Sequence, residues 1–466
     1  MIDEEFLNRD EELQYLDELW DSKGLVTCCI YGRKGIGKSS LLKEFSKGKR
    51  TIYLQAIQGS YYENLSALTS DVSSFCGHDI GEMRDLSHLM KVVEGLCSKE
   101  HTLVIIDDLP YLIDSAPQVA SVIQKSMDRG FDDVDCMFVV CGSSISTMRK
   151  EIGNYDRPLY GRFTNVLHVK QIGLSESMSF HPKMDAYTAL RWYLTVGGIP
   201  RYLQTSQSGY ESNVARMFLK SPFPHRDDAS QAILREFRGN HNYTGAVKCI
   251  ADGHVRQSDI ADRLIMDRAA CKRILDDLES VNIIERIHPM MNAPKRPIYR
   301  IVDPFIAFHY GIISKNSLII DTSDSSRTAY RLLRNKIDSH LGHMFEIVCA
   351  RWLCDHLTII EIGSWWGKDS KGVDVDIDII AKAFDENDVI YTLVCECKFS
   401  ENPMGFTTMN TLEQRCEDAS IKENVRYVLF SAGGFQDDLR EYADENGISL
   451  VDCETMMGLK DIPKIV

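Results

Sequence analysis

Gly32, Gly37, Lys38 and Ser39 stand in the stretch GRKGIGKSS with the spacing G-x-x-x-x-G-K-[ST]. The apolar run LVTCCIY precedes it and SLLKEFSK, which reads as a helix, follows it. Residue types in this order can hold phosphate. Gly32, Gly35 and Gly37 let backbone N–H groups face an anion, and the start of the next helix adds its positive end. Lys38 can reach outer phosphates, Ser39 can offer its hydroxyl to Mg2+, and Ser40 lies next along the chain. A glycine-rich turn with a chance lysine is the plain alternative. The complete motif in a strand–loop–helix context weighs against it, so ATP or GTP binding with Mg2+ is expected.

A second acidic element fits the same chemistry. LVIIDDLPYL places Asp107 and Asp108 at the carboxyl end of a strand, where α/β sheets bind ligands. Asp107 would hold Mg2+, often through water, and Asp108 could polarise the attacking water; an acidic strand end entering a turn at Pro110 is the alternative. CMFVVCGSS ends the next strand on Ser143 or Ser144, within plausible reach of a γ-phosphate, although serine after a strand is also ordinary turn chemistry. Arg162, in YGRF, can neutralise charge at the phosphate of a neighbouring protomer, or be a surface residue.

The other chemical set lies near the far end of the chain. DVDIDIIA carries Asp376 and Asp378, and CECKF carries Glu396 and Lys398 on one strand face, since residues two apart in a strand point the same way. Asp378 and Glu396 can bind Mg2+, while Lys398 can activate water and stabilise charge on a phosphodiester. Glu346, in the helix LGHMFEIVCARWLCDHL, adds a further acid. The opposing reading keeps these acids for structure alone.

These groups must be positioned by more than one core, because 466 residues exceed the usual size of one. Apolar content of 44% and charged content of 26% are ordinary for globular protein, and no run approaches 18 consecutive apolar residues. The N-terminal stretch MIDEEFLNRDEE is acidic where a secretion signal needs positive charge, so a cytoplasmic protein without membrane contact is expected. Fourteen cysteines are scattered with no C-x-x-C pair and read as small apolar residues in a reducing compartment. A formal charge of −15 argues against indiscriminate coating of nucleic acid, so any such contact must be local.

Along the chain, apolar runs alternate with helical stretches to about residue 205, which predicts an α/β domain with a parallel sheet buried on both faces. Residues 206–226 read as a linker with a short helix, and close-set helices ending in a strand pair occupy 227–320. From 335 to 466 the pattern returns to α/β. Within 227–320, Ile260, Leu264, Ile274 and Leu278 keep helical spacing. A helix from about 267 to 279 would expose Arg268, Lys272 and Arg273, with Lys295 and Arg296 in the turn NAPKRP, a basic set suited to DNA phosphates. Asp267, Asp276, Asp277 and Glu279 share that helix, so a charge-balanced face or a protein-docking module stands beside the DNA reading.

FLNRDEELQYLDELW, GRKGIGKSS, IIDDLPYL, GSS, YGR and GGIPRYL, in this order, resemble the archaeal-type ATPase family, relatives of the AAA+ and STAND ATPases, over residues 1–205. The resemblance implies that Asn8 and Arg9 sit near the adenine side and that Arg162 is the candidate finger, with a homo-oligomer as partner. The family usually has Asp-Glu where this chain has Asp107-Asp108, and the shorter acid implies slow hydrolysis. The segment after the ATPase core resembles a winged helix. The order of helix and strands beyond residue 340, with the Asp378, Glu396 and Lys398 set, resembles the PD-(D/E)xK nuclease fold of restriction endonucleases. Three functions follow: an ATP-dependent DNA-directed protein with a Mg2+-dependent nuclease domain, in defence or on a mobile element; an ATP-dependent regulatory switch that cleaves nothing; and a protein-directed ATPase.

Overall fold

LVTCCIY is apolar at almost every position, which a strand buried on both faces requires. In the computed structural model, which describes residues 6–131, 134–204, 209–220, 225–290, 297–368, 371–422 and 424–465, it forms β1 (Leu25–Tyr31), and all but its first residue are buried. β2 (Thr51–Gln55), β3 (Thr102–Asp107), β4 (Cys136–Gly142) and β5 (Asn165–His168) complete a sheet of order β2-β3-β4-β1-β5. Every pairing in it is parallel. The carboxyl ends Tyr31, Gln55, Asp107, Gly142 and His168 therefore share one edge. Helices on the faces bury Leu16, Leu41, Leu42 and Phe45 against Cys28, Ile30, Ile105 and Val139.

The chain divides into two compact units, Met1–Gln171 with Arg235–Gly239, and Ile172–Leu234 with Asn240–Val466. The stretch 172–204 packs in the second unit.

In the second unit, helices His241–Ala251, Gln257–Arg263 and Arg268–Ser280 precede an antiparallel pair, β6 (Ile284–Ile287) and β7 (Ile298–Ile301). Ile260, Ile274 and Leu278 are buried as their spacing predicts, and Leu264 is half-buried. Lys295 and Arg296 lie outside the described residues. A 31-residue helix, Ser326–His356, then leads into a mixed sheet. Its strands are β8 (Ile359–Lys368), β9 (Asp374–Phe384), β10 (Ile390–Lys398), β11 (Val425–Ser431) and β12 (Ser449–Asp452), in the order β12-β11-β10-β9-β8. β8, β9 and β10 pair antiparallel, and β10, β11 and β12 pair parallel. Helices Phe406–Asp418 and Asp437–Asn446 bury Met409, Leu412, Leu439 and Ala443 against Ile377, Ile380, Val394 and Leu429.

Among the described residues, no helix is long and apolar enough to cross a membrane. All fourteen cysteines are free.

Candidate functional site

The loop between β1 and the helix Lys38–Ser46 needs glycine at two positions for different reasons. Gly37 caps the helix at φ 90, a region costly for any residue with a Cβ. A Cβ on Gly32 would lie 2.3 Å from the Val169 carbonyl oxygen. Lys38 is buried, and its ammonium donates to the carbonyls of Gly32 at 2.7 Å and Arg33 at 3.0 Å, inside the loop it would serve. Burial lowers its pKa, while Cys141, Asp108, Asp107 and Glu236 pull the other way. Gly35 (φ 88) lies in the same loop, and Ser40 is exposed on the helix's first turn.

β3 delivers the acids. The Ser39 hydroxyl donates to Asp107 Oδ2 at 2.7 Å, which joins the phosphate loop to the acidic strand end. Tyr53 on β2 donates to the same oxygen at 2.7 Å, and the backbone N–H of Asp108 donates to Oδ1 at 2.9 Å. Asp107 is thereby satisfied although almost fully buried. Asp108 begins the helix Leu109–Ser115 in the left-handed region, φ 55 and ψ 39. Its carboxylate accepts from Ser143 Oγ at 3.1 Å and from Gln55 Nε2 at 3.3 Å. Burial, and then Asp107, push its pKa up. Of the two serines after β4, Ser143 meets the acid, and Ser144 caps the helix Ile145–Gly153 by accepting from the Thr147 N–H. One hydroxyl and one carboxylate at 2.7 Å fit Mg2+, which takes one or two protein oxygens and fills its remaining positions with phosphate and water.

Asn8, Arg9 and Arg162 are the other residues expected at the nucleotide. The Arg9 guanidinium donates to the carbonyls of Ile36 at 3.2 Å and Lys170 at 2.6 Å, tying the phosphate loop to the chain after β5, and it pairs with Glu12. Asn8 and Arg9 both take positive φ, 62 and 76. Arg162 precedes the amino end of β5, on the sheet edge away from the phosphate loop, and Asp128 holds it bidentately at 2.5 and 3.1 Å. It cannot serve the phosphate loop of its own chain. Tyr53, Gln55 and Glu236 carried no motif; only the pairing of Gln55 with Asp107 across β2 and β3 brings the first two to the acids.

In the second unit, the β9–β10 ladder ends at the pair Cys395 and Ile379. Just past it the Asp378 carboxylate takes the Cys397 N–H at 2.8 Å, which the ladder no longer serves. Glu396 accepts from Arg415 on helix Phe406–Asp418 at 3.0 Å. Burial, then the Asp378 charge, raise Glu396 to about 7 and Glu346 to about 8. Asp378 is raised too, chiefly by burial. Asp376 and Lys398 are exposed; both act on Glu396 through charge, Asp376 raising its pKa and Lys398 lowering it. The structure thus brings Glu346, Asp376, Asp378, Glu396 and Lys398 into one electrostatic neighbourhood. Among the described residues no group of three or more His, Cys, Asp or Glu side chains is placed to hold a metal. The donor set at Asp378 and Glu396 fits only an ion content with two carboxylates, as Mg2+ is.

On the helix Arg268–Ser280 the acids are engaged within the fold. Asp276 and Glu279 pair with Arg286 at 2.7 and 3.3 Å, and Asp277 accepts from the Tyr243 hydroxyl at 2.6 Å. Arg268, Lys272 and Arg273 are exposed, and none of them forms an ion pair among the described residues.

A parallel sheet with a glycine-rich loop, a buried lysine and paired acids at its carboxyl edge defines a P-loop nucleotide-binding domain. Residues 6–205 match a family described as an ATPase domain predominantly from Archaea. Residues 309–414 match a family described as archaeal and bacterial proteins of unknown function, a stretch that includes Glu346, Asp378, Glu396 and Lys398. An uncharacterized protein of Methanocaldococcus jannaschii is 26% identical over 385 residues, 81% of this chain and 84% of that protein. An uncharacterized ATP-binding protein of the same organism is 38% identical over 45 residues, 10% of this chain and 76% of that one. Among solved structures, the Walker-type ATPase of Pyrococcus abyssi aligns with 66% of this chain and 96% of its own at 19% identity, with a TM-score of 0.49.

Proposed function

We propose that the protein hydrolyses ATP at the carboxyl edge of the first sheet and acts on DNA through its second unit. The observation that carries the reading is the Ser39–Asp107 hydrogen bond, which joins the phosphate loop and the acidic strand end at one point. Lys38 neutralises the outer phosphates, and Ser39 and Asp107 hold Mg2+, which when bound would screen phosphate charge. Asp108, oriented by Ser143 and Gln55, positions the water. Arg162 acts on the phosphates of a second copy.

The helix Arg268–Ser280 and the β6–β7 hairpin form a winged helix in this reading, with Arg268, Lys272 and Arg273 on DNA phosphates. The engagement of the neighbouring acids with Arg286 and Tyr243 supports DNA contact over a charge-balanced face. Asp378 and Glu396 hold Mg2+, Lys398 stabilises the phosphodiester, and Glu346 is an accessory acid. The raised pKa values of these acids support a cation, since a positive charge offsets the cost of burying several carboxylates.

A second reading, an ATP-dependent switch that cleaves nothing, is favoured by one contact: Arg415 already supplies Glu396 with positive charge. Incubation of the protein with supercoiled plasmid in Mg2+ or Mn2+, with and without ATP, separates the two. Nicking that needs the metal supports the nuclease reading, and intact plasmid under every condition leaves the switch.

A further inference from the structure

The segment Arg235–Gly239 packs with the first unit although the chain on either side of it belongs to the second. It comprises the end of the helix Asp228–Glu236 and the turn that follows, where Arg238 takes φ 52. The Glu236 carboxylate lies across the start of the helix Ile145–Gly153. The Ser146 N–H donates to Oε1 at 2.7 Å, the Ile145 N–H to Oε2 at 3.1 Å, and the Ser144 hydroxyl to Oε1 at 3.5 Å. The Ser146 hydroxyl also donates to the Glu236 carbonyl at 3.2 Å. A carboxylate there satisfies amides that have no partner within the helix and meets its positive end.

Two residues further on, Arg238 Nη2 lies 3.0 Å from Asp114 Oδ1, on the helix Leu109–Ser115. These two helices start beside the residues that aim the water-positioning acid. Leu109 follows Asp108, Ile145 follows Ser143 and Ser144, and the Ser143 hydroxyl donates to Asp108 at 3.1 Å. One short segment therefore grips both helices whose relative placement sets the Asp108–Ser143 bond.

We infer that Glu236 is a positioning residue for ATP hydrolysis, with Arg238 as its auxiliary: it fixes the start of the Ile145–Gly153 helix and so aims Ser143 and Asp108. The inference rests on the ATPase reading above. Glu236 acts through the helix start, so its loss changes turnover more than nucleotide binding. Arg238 and Asp114 are both exposed, so their pair contributes less.

The test measures, on the full chain, the equilibrium Kd of a fluorescent ATP analogue and the steady-state kcat for ATP. Glu236→Ala is expected to lower kcat about tenfold, about 1.4 kcal/mol, with Kd changed by less than about twofold. Glu236→Gln, which keeps an acceptor without the charge, falls between it and the wild type. Arg238→Asp should lower kcat about two- to threefold, and adding Asp114→Arg should restore it. Unchanged turnover in Glu236→Ala, while the wild type hydrolyses ATP, overturns the inference. So does a parallel loss of affinity and turnover, or, where Glu236→Ala fails to fold, a double charge swap that restores nothing. A wild type that binds ATP and never hydrolyses it overturns the ATPase reading as well, which tells the two failures apart.

Discussion

At Asp108 the chain places a carboxylate in the left-handed region, with Ser143 on one oxygen and Gln55 on the other. Aspartate tolerates that backbone better than most residues, because its short polar side chain bonds locally. The cost is reach, one methylene less than glutamate has. Asp108→Glu is therefore expected to hydrolyse ATP at least as fast as the wild type in a phosphate-release assay, with ATP affinity unchanged. Loss of turnover in that variant would show that the shorter acid is already correctly placed and that Ser143 and Gln55 accept no longer side chain.

At the scale of elements, the basic face of Arg268–Ser280 and the buried histidine after the turn Glu176–Phe180 each make a measurable claim. Replacing Arg268, Lys272 and Arg273 by alanine should weaken binding to duplex DNA and reduce the slope of log affinity against log salt by about 1 for each phosphate left without its cation. An unchanged slope would place DNA elsewhere or nowhere. His181 is buried, and burial lowers its pKa to about 4 from 6.5. A group depressed in the fold contributes stability that is present above pH 6.5 and lost as pH falls toward 4. The loss is up to about 3 kcal/mol for a shift of this size, and His181→Asn should flatten that part of the stability–pH curve in urea titrations. The phosphate loop was legible because all its chemistry is contiguous, from Gly32 to Ser39. Tyr53 and Gln55 were not, since only strand order brings them to Asp107 and Asp108, and Glu236 returns to the first sheet from far along the chain. The helix that begins at Ser326 starts well before the apolar run around Glu346. Residues 321–334 fall between the segments read as 227–320 and 335–466, yet Ser325 caps the helix, and Ala329, Leu333, Ile337 and Leu341 are buried at every fourth position.

For the molecule as a whole, two chemistries are assigned to two units, and they should fail separately. Asp378→Ala should lose Mn2+ binding and plasmid cleavage together, whereas Lys398→Ala should lose cleavage and keep the metal, as calorimetry with Mn2+ can show. Equal defects in both variants would mean that Lys398 has no role of its own in the cleavage step. The central claim is hydrolysis of ATP at the loop that holds Lys38, and one comparison tests it most directly: Mg2+-dependent phosphate release by the full chain and by Lys38→Ala. Removing an ammonium that bonds charged phosphate costs about 1.5–3 kcal/mol, or about tenfold to a hundredfold. The wild type is predicted to release phosphate from ATP in Mg2+, and Lys38→Ala to fall by that factor in affinity, turnover or both. Equal release by the two proteins would contradict the assignment of the site.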